Sequence, residues 1–202
     1  MAQRQDARRN RERLVVAARE VFQESGAAAP LDLVARRAGV GRATLYRNFP
    51  DRVALLATLF EERLAELEEL VTSYRGDDVF ERLVVELCRY ELGIPGFGAL
   101  LSGLATVERS ALARVDAAAE SLLSRALERS AGAGLLRADL RAGDGVMIVA
   151  MLNGVLIAHA GEAPREAVGR ALGLVLDGVR APARIGAPVP APIPGATHDG
   201  PS

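Results

Sequence analysis

Apolar residues recur along most of the chain at the spacing of one helix face, and no alternating strand pattern persists. The first such face is formed by Leu14, Ala17, Ala18, Val21 and Phe22. The pattern predicts nine helices, at about 11–25, 30–38, 42–48, 51–71, 77–92, 97–107, 110–131, 143–160 and 164–181. We therefore expect an all-α protein.

Residues typical of helix ends mark several of these boundaries. Gly26 and Gly39 can close the helices before them, whereas Pro30 and Pro164 suit the first turn of the helices that follow. Asp51 is the expected N-cap of the long fourth helix. These signals favour a small three-helix domain over 1–54, a larger helical domain over 55–182, and a tail over 183–202. The tail is rich in proline, glycine and alanine, cannot bury a core, and is expected to be disordered.

The composition restricts the class of protein. Half of the 202 residues are hydrophobic, but the longest apolar runs are too short to span a bilayer. The first thirteen residues are polar and rich in arginine, so we expect no signal peptide. The one cysteine, Cys88, lies among apolar residues and is interpreted as a small buried side chain in a cytoplasmic protein.

Charge is distributed unevenly along the chain. The formal net charge is only −1, yet residues 1–52 contain eleven arginines and six acidic residues, whereas residues 53–202 contain fourteen and twenty. A basic first part followed by an acidic remainder favours a polyanionic partner for the first part alone. Solvated helix faces produce the same asymmetry, so charge by itself does not decide the matter.

Residues 31–49, LDLVARRAGVGRATLYRNF, have the pattern of two short helices joined by a tight turn, which is typical of a helix-turn-helix. Val34, Ala38, Val40 and Leu45 are expected to hold the two helices together, and Gly39 can adopt the backbone conformation that the turn needs. The exposed face of the second helix is then formed by Arg42, Ala43, Thr44, Tyr46, Arg47 and Asn48.

These residue types suit the major groove of DNA. Arginine can bind guanine edges with two hydrogen bonds, asparagine can read adenine, and alanine can contact the thymine methyl group. Threonine and tyrosine hydroxyls can donate to phosphate oxygens, and Arg52, at the start of the fourth helix, can hold a phosphate together with the helix amides. Further backbone contacts are expected from Arg8, Arg9, Arg11 and Arg13.

Structural explanations of the same residues remain open. Tyr46 can pack in the interior, and Arg42 or Arg47 can pair with Asp32 or Asp51. The helix-turn-helix also occurs in proteins that do not bind DNA.

The stretch AGVGRATLYRNFPDRVALL resembles the signature of the TetR family of transcriptional regulators, AGV-S-x-x-TLY-x-HF-x-S-K-x-x-L. The resemblance covers about the first 60 residues, and beyond them only the layout of helices agrees. It implies a homodimeric repressor that binds palindromic double-stranded DNA and is released when a small molecule enters the carboxy-terminal domain.

Carried over to this chain, the resemblance implies phosphate contacts for Thr44, Tyr46 and Arg52. Bases or the nearby backbone would be faced by Arg42, Ala43, Arg47 and Asn48. Three positions depart from the signature: Gly41 replaces serine and removes an N-cap, Asn48 replaces histidine, and Arg52 replaces lysine. These changes affect the expected operator sequence more than DNA binding itself.

The resemblance also implies that the helices at about 143–181 pack against a second copy as a four-helix bundle. Apolar residues are plentiful there: Val146, Ile148, Val149, Leu152, Val155, Leu156, Leu172, Leu174, Val175, Leu176 and Val179. A core within one protomer explains the same residues.

An effector pocket is implied between the fourth and eighth helices. Candidate lining residues are Phe60, Leu64, Phe80, Leu87, Tyr90, Phe97, Leu101, Met147, Met151 and Asn153. Each of them also suits an ordinary core, because pockets reuse core residue types. Few charges are expected inside, which favours an uncharged or mainly apolar effector.

Nothing in the sequence indicates an enzyme. A nucleophile–base pair, a carboxylate dyad, a glycine-rich phosphate loop and a metal-ligand set are all missing, and the histidines, His159 and His198, are isolated. We expect no metal and no cofactor other than a small-molecule effector. The alternative function is a helical module that binds small molecules or proteins and carries a vestigial head that does not bind DNA.

Overall fold

The structure is a computed structural model that describes residues 2–97, 100, 112–160 and 163–181. Within these ranges the regular elements are all helices, apart from an isolated β-bridge between Leu136 and Arg180, which confirms the all-α class. The helices are α1 (Ala2–Ser25), α2 (Leu31–Ala38), α3 (Arg42–Asn48), α4 (Arg52–Ser73), α5 (Val79–Gly93), α6 (Ala113–Gly132), α7 (Asp144–Ala158) and α8 (Pro164–Val179). Most of the helix expected at 97–107 and the tail expected at 183–202 lie outside the described residues.

The first helix is longer than its apolar stripe indicated. It begins at Ala2 rather than near Arg11, and the Arg8 guanidinium donates to the Glu12 carboxylate, one turn further on, at 2.9 Å. Polar side chains surround this part of the helix on every side, so no stripe marks it, although arginine, alanine and glutamine favour helix. The other described boundaries differ from the prediction by at most three residues.

The residues expected to cap or close helices do so. The N–H of Gly26 donates to the Phe22 carbonyl at 2.9 Å, and Gly39 lies in the left-handed region at φ 64° as the C-cap of α2. The Asp51 carboxylate accepts the Ala54 N–H at 2.7 Å and caps α4. These predictions are confirmed because each depends on local geometry alone.

The buried apolar side chains form two clusters, and α4 belongs to both. The head cluster combines α1–α3 with Leu55, Leu56 and Leu59 of α4, and with Ile94 and Phe97, which follow α5. The body cluster combines the rest of α4 with α5–α8. A continuous helix therefore connects the interior of the head with the interior of the body.

A second connection joins the head and the body beside α4. The Ala27 N–H, just after α1, donates to the Pro95 carbonyl at 2.8 Å. A Cβ on Gly26, at φ 83°, would lie 3.0 Å from the same carbonyl oxygen, so a glycine is needed for this close approach. The loops after α1 and after α5 are thus in direct backbone contact.

Candidate DNA-binding helix and effector cavity

The position of α3 is set by α2 and by the turn at Gly39. Val34, Ala38 and Leu45 are buried between the two helices, as expected from the sequence, and Val40 is half-buried. The Val40 N–H returns to the Ala35 carbonyl at 3.0 Å and closes the turn. The residues predicted to pin the two helices together are therefore confirmed as core.

One face of α3 is open to solvent. Ala43, Tyr46 and Arg47 are exposed, and Tyr46 presents 48% of its surface, so it does not pack in the interior. Arg47 Nη2 donates to the Thr44 hydroxyl at 3.1 Å along the helix. Arg42 is exposed as well, but its guanidinium forms a paired hydrogen bond with the Asp32 carboxylate on α2. One of the two ion pairs weighed for Arg42 therefore forms in the absence of DNA.

Thr44 and Asn48 are less accessible than the other residues of this face. Both are half-buried, and Asn48 Nδ2 donates to the Thr44 carbonyl at 2.8 Å. The Asn48 amide would have to leave this bond to read a base edge. The six residues predicted for the exposed face thus differ in how readily they can meet a ligand.

Arg11 positions α3, a role that sequence reasoning missed. Its guanidinium donates to the Asn48 carbonyl and to the Thr58 hydroxyl, each at 3.1 Å, and lies 4.3 Å from the centre of the Phe49 ring. A cation at the carboxyl end of a helix is stabilised by the helix dipole. No local signal reveals this contact, because Arg11 and Asn48 are 37 residues apart.

Arg52 also differs from expectation, because its side chain is directed into the head. Nη1 donates to the carbonyls of Ala27 and Ala29, at 2.6 and 2.7 Å, and partial burial lowers the pKa of the guanidinium. Arg52 therefore fastens the loop after α1 to the start of α4. A phosphate contact through its remaining N–H groups stays a prediction.

A cavity of about 340 Å³ lies in the body between α4, α5, α6 and α7. It is lined by Phe60, Glu91, Leu112, Asp116, Ala119, Glu120, Leu123, Val146, Val149, Ala150 and Asn153. Two of the predicted pocket residues, Phe60 and Asn153, are among them. The cavity is partly open, since Asp116, Glu120 and Val146 are exposed.

The other predicted pocket residues lie elsewhere. Leu64, Phe80 and Leu87 belong to the body cluster. Met147 and Met151, with 59% and 49% of their surface exposed, lie on the outer side of α7. Leu101 is outside the described residues. The sequence marked these residues as apolar and helical but held no information on which of them face an empty space.

Tyr90 and Phe97 pack with Phe60 beside the cavity. The ring centres of Phe60 and Phe97, and those of Tyr90 and Phe97, are 5.7 Å apart, and the Phe60–Tyr90 distance is 6.1 Å. Burial raises the pKa of Tyr90 to about 12, so its hydroxyl remains protonated. Because Phe97 belongs to the head cluster, these three rings connect the cavity wall with the head.

The cavity is more acidic than the sequence indicated. Glu91 is buried, with 7% of its surface exposed, and its Oε1 accepts Asn153 Nδ2 at 3.0 Å. Burial raises the pKa of this carboxyl to about 7, against the smaller opposing effect of the Asn153 hydrogen bond. Few charges were expected inside, and the interior of this cavity holds Glu91, while Asp116 and Glu120 line its exposed edge.

The first part of the chain is similar to known regulatory proteins. Residues 14–59, which include the helix-turn-helix, match the family model of bacterial regulatory proteins of the tetR family. This segment therefore matches the TetR family, which confirms the resemblance found in the sequence. No curated protein sequence gave a match.

Solved structures of TetR-family proteins are similar over most of the chain. A TetR transcriptional regulator from Streptomyces coelicolor is 29% identical, and the alignment covers 86% of this chain and 99% of that one with a TM-score of 0.59. The TetR regulatory protein from Mycobacterium vanbaalenii is 27% identical, with 88% and 99% covered and a TM-score of 0.55. FadR from Thermus thermophilus, solved with lauroyl-CoA, is 23% identical, with 90% and 98% covered and a TM-score of 0.60, and supports the fold alone.

The last two described helices, α7 and α8, have an exposed apolar face. Exposed positions on α7 and α8 are Val146, Met147, Met151, Ile157 and Leu174. Helix α7 is apolar on all sides, a composition typical of helices that are surrounded by protein. Ile148, Leu152, Leu176 and Val179 are instead buried within the protomer. The apolar residues noted in the sequence therefore divide between an internal core and an outer face.

The remaining candidate groups are the cysteine and the two histidines. Cys88 is buried, as expected, and burial raises the pKa of its thiol to about 12. His159 directly follows α7 as its C-cap residue, and His198 lies outside the described ranges. Among the residues that the structure describes, no cluster of acidic, histidine or cysteine side chains could hold a metal, and no helix is long and apolar enough to cross a membrane.

Proposed function

We propose that this protein is a ligand-responsive transcriptional repressor that binds a palindromic operator as a homodimer. The observation that carries the proposal is the exposed face of α3, with Ala43, Tyr46 and Arg47 open to solvent on a helix fixed from behind by Leu45. A short helix held in this way can enter the major groove. We place the regulator in the cytoplasm and assign it no enzymatic activity.

The proposed DNA contacts divide into two groups. Tyr46, Arg47 and Ala43 need no rearrangement, because they are exposed in the free protein. Arg42 would exchange the Asp32 carboxylate for a guanine edge or a phosphate, and Asn48 would exchange the Thr44 carbonyl for a base. The first group should therefore supply most of the affinity, and the second group more of the selectivity among sequences.

The homodimer is proposed through the exposed apolar face of α7 and α8. A second copy would cover Met147, Met151 and Leu174 and would hold two α3 helices roughly 34–36 Å apart for successive major grooves. Replacing Met147 and Leu174 by glutamate should give a monomer in sedimentation velocity. Val16→Glu is a matched control, because Val16 on α1 is as exposed as Met147. A double variant that stays dimeric would refute this interface.

The response to a ligand is proposed to travel from the cavity to α3 by two connections. One is α4 itself, which belongs to both the head cluster and the body cluster. The other leads from the Phe60–Tyr90–Phe97 rings through the Pro95 carbonyl and the Ala27 N–H to Arg52, which fastens that loop to α4. A ligand that changes the separation of the two heads would change operator affinity by typically about 1–3 kcal/mol.

The decisive experiment is selection of bound duplexes from a random DNA pool, followed by affinity measurements against salt. We expect a palindrome, bound by a dimer, with affinity that falls steeply as salt rises. Tyr46→Ala with Arg47→Ala should remove specific binding without changing the dimer or the melting temperature. Arg75→Ala is the matched control, because Arg75 is exposed in the body, away from α3.

The outcome distinguishes the two functions considered. If no sequence is enriched and the double variant binds DNA as weakly as the wild type, the protein is an interaction module and not a DNA-binding regulator. If the double variant unfolds, Tyr46 and Arg47 belong to the core of the head and the proposed contacts are wrong.

A further inference from the structure

We infer that the cavity between α4, α5, α6 and α7 binds an organic amine, a ligand with an apolar body and a positively charged nitrogen that donates hydrogen bonds. That this ligand is the effector rests on the proposed function. The binding chemistry rests on the cavity alone.

Charge is the first argument. The cavity is lined by Glu91, Asp116 and Glu120, and its described lining residues include no arginine and no histidine. Glu91 lies deep and the other two carboxylates lie at the exposed edge. A cation is attracted at the edge and is neutralised inside, whereas an anion meets like charges along its whole path.

The second argument is the set of hydrogen-bond acceptors at Glu91 and Asn153. Asn153 Nδ2 donates to Glu91 Oε1 at 3.0 Å, and the buried Asn153 Oδ1 has no hydrogen-bond partner among the residues that the structure describes. A carboxylate and an unpaired amide oxygen thus stand side by side as acceptors. An ammonium group has three donors and no acceptor, which matches this arrangement.

The apolar wall is the third argument. Phe60, Leu123 and Val149 line the same space, and the volume of about 340 Å³ admits a ring with a short chain. Phe60 and Glu91 line the same cavity, and both an aromatic ring and a carboxylate attract a cation. A ligand without polar groups would leave the Glu91 carboxylate and Asn153 Oδ1 without a donor. A ligand that only accepts hydrogen bonds would add a further acceptor without a donor.

Glu91 also connects ligand binding in the cavity with the head. It lies near the end of α5, and it lines a second, small cavity of about 80 Å³ together with Pro95. Pro95 is the residue whose carbonyl accepts the Ala27 N–H from the head. A ligand that draws Glu91 toward the larger cavity therefore acts on the segment that joins body and head.

Three probes with one skeleton test the inference: 4-phenylbutylamine, 4-phenylbutanol and 4-phenylbutanoate, titrated calorimetrically into the full chain without DNA. We expect the amine to bind at least about tenfold more tightly than the alcohol, and the carboxylate to bind most weakly. Equal affinities, a preference for the carboxylate, or no measurable heat with the amine near millimolar concentration would overturn the inference.

Variants locate the site. Glu91→Gln keeps the size of the side chain and the oxygen that accepts the Asn153 hydrogen bond, and should abolish the preference for the amine. Glu128→Gln is the matched control, because Glu128 is exposed on α6 and does not line the cavity. A preference that survives in a folded Glu91→Gln variant would place the amine elsewhere and refute the assignment.

The failure of this inference can be told apart from the failure of the proposed function. The calorimetric result involves no DNA. If the amine binds as expected but leaves the affinity for a selected operator unchanged, the cavity chemistry stands and ligand-responsive regulation by this compound class is refuted. If operator binding is specific but the amine does not bind, the regulator stands and the inference fails.

Discussion

Replacing Glu91 by glutamine should stabilise the protein near pH 8 much more than near pH 5. The carboxyl is buried, with 7% of its surface exposed, and burial raises its pKa from 4.5 to about 7. A buried carboxyl of this kind destabilises the fold when it must ionise. Glutamine has the same shape, can retain the hydrogen bond from Asn153, and has no charge to desolvate.

The sign and magnitude follow from linkage. Between pH 4.5 and about 7 the unfolded chain loses the Glu91 proton while the folded chain keeps it, so the free energy of unfolding falls as pH rises. Below that window the group is protonated in both states and has no effect. The full loss above pH 7 is about 3 kcal/mol, and the part that develops between pH 5 and pH 8 is about 2.5 kcal/mol.

The assay is urea unfolding of wild type and Glu91→Gln near pH 5 and near pH 8. One protomer concentration is used throughout, because the proposed dimer would make stability depend on concentration. The stabilisation by glutamine should be about 2.5 kcal/mol larger at the higher pH. Glu128→Gln, an exposed change on α6, should give the same small difference at both values. If Glu91→Gln shows no dependence on pH, or is more destabilising near pH 8, the argument from burial is wrong.

Three further predictions concern other parts of the chain. Arg52→Ala removes the donor to the Ala27 and Ala29 carbonyls and should lower the free energy of unfolding, measured in urea, by about 2–3 kcal/mol. Arg47→Ala, an exposed change, should not lower it. Equal effects of the two substitutions would refute the structural role of Arg52. Gly39→Ala places a side chain at φ 64° and should cost about 1–2 kcal/mol in thermal unfolding, and an unchanged melting temperature would contradict the left-handed turn. The Cys88 thiol is buried, and its pKa of about 12 keeps it protonated. It should therefore react with a disulfide reagent only when urea unfolds the chain. Rapid labelling of the folded protein would contradict its burial.

The sequence by itself determined the features that depend on neighbouring residues. Helix faces follow from spacing, which is why Leu14, Val21 and Phe22 were correctly expected in the core of the head. Helix ends follow from residues such as Gly39 and Asp51, whose backbone or side chain acts within one turn. The helix-turn-helix and its match to the TetR family depend on the same short-range pattern and could be predicted.

Only the tertiary structure decided which polar side chains are committed to the interior. Arg11 and Arg52 look like further members of a basic DNA-binding set, yet they bond to carbonyls 37 and 25 residues away. Glu91 reads as an ordinary helix position, yet it meets Asn153, 62 residues later, in a buried cavity. Periodicity tells which face of a helix is covered, but the partner that covers it, and the space left between them, arise only when α5 and α7 pack together. The charge, the pKa and the ligand chemistry of the cavity follow from that packing.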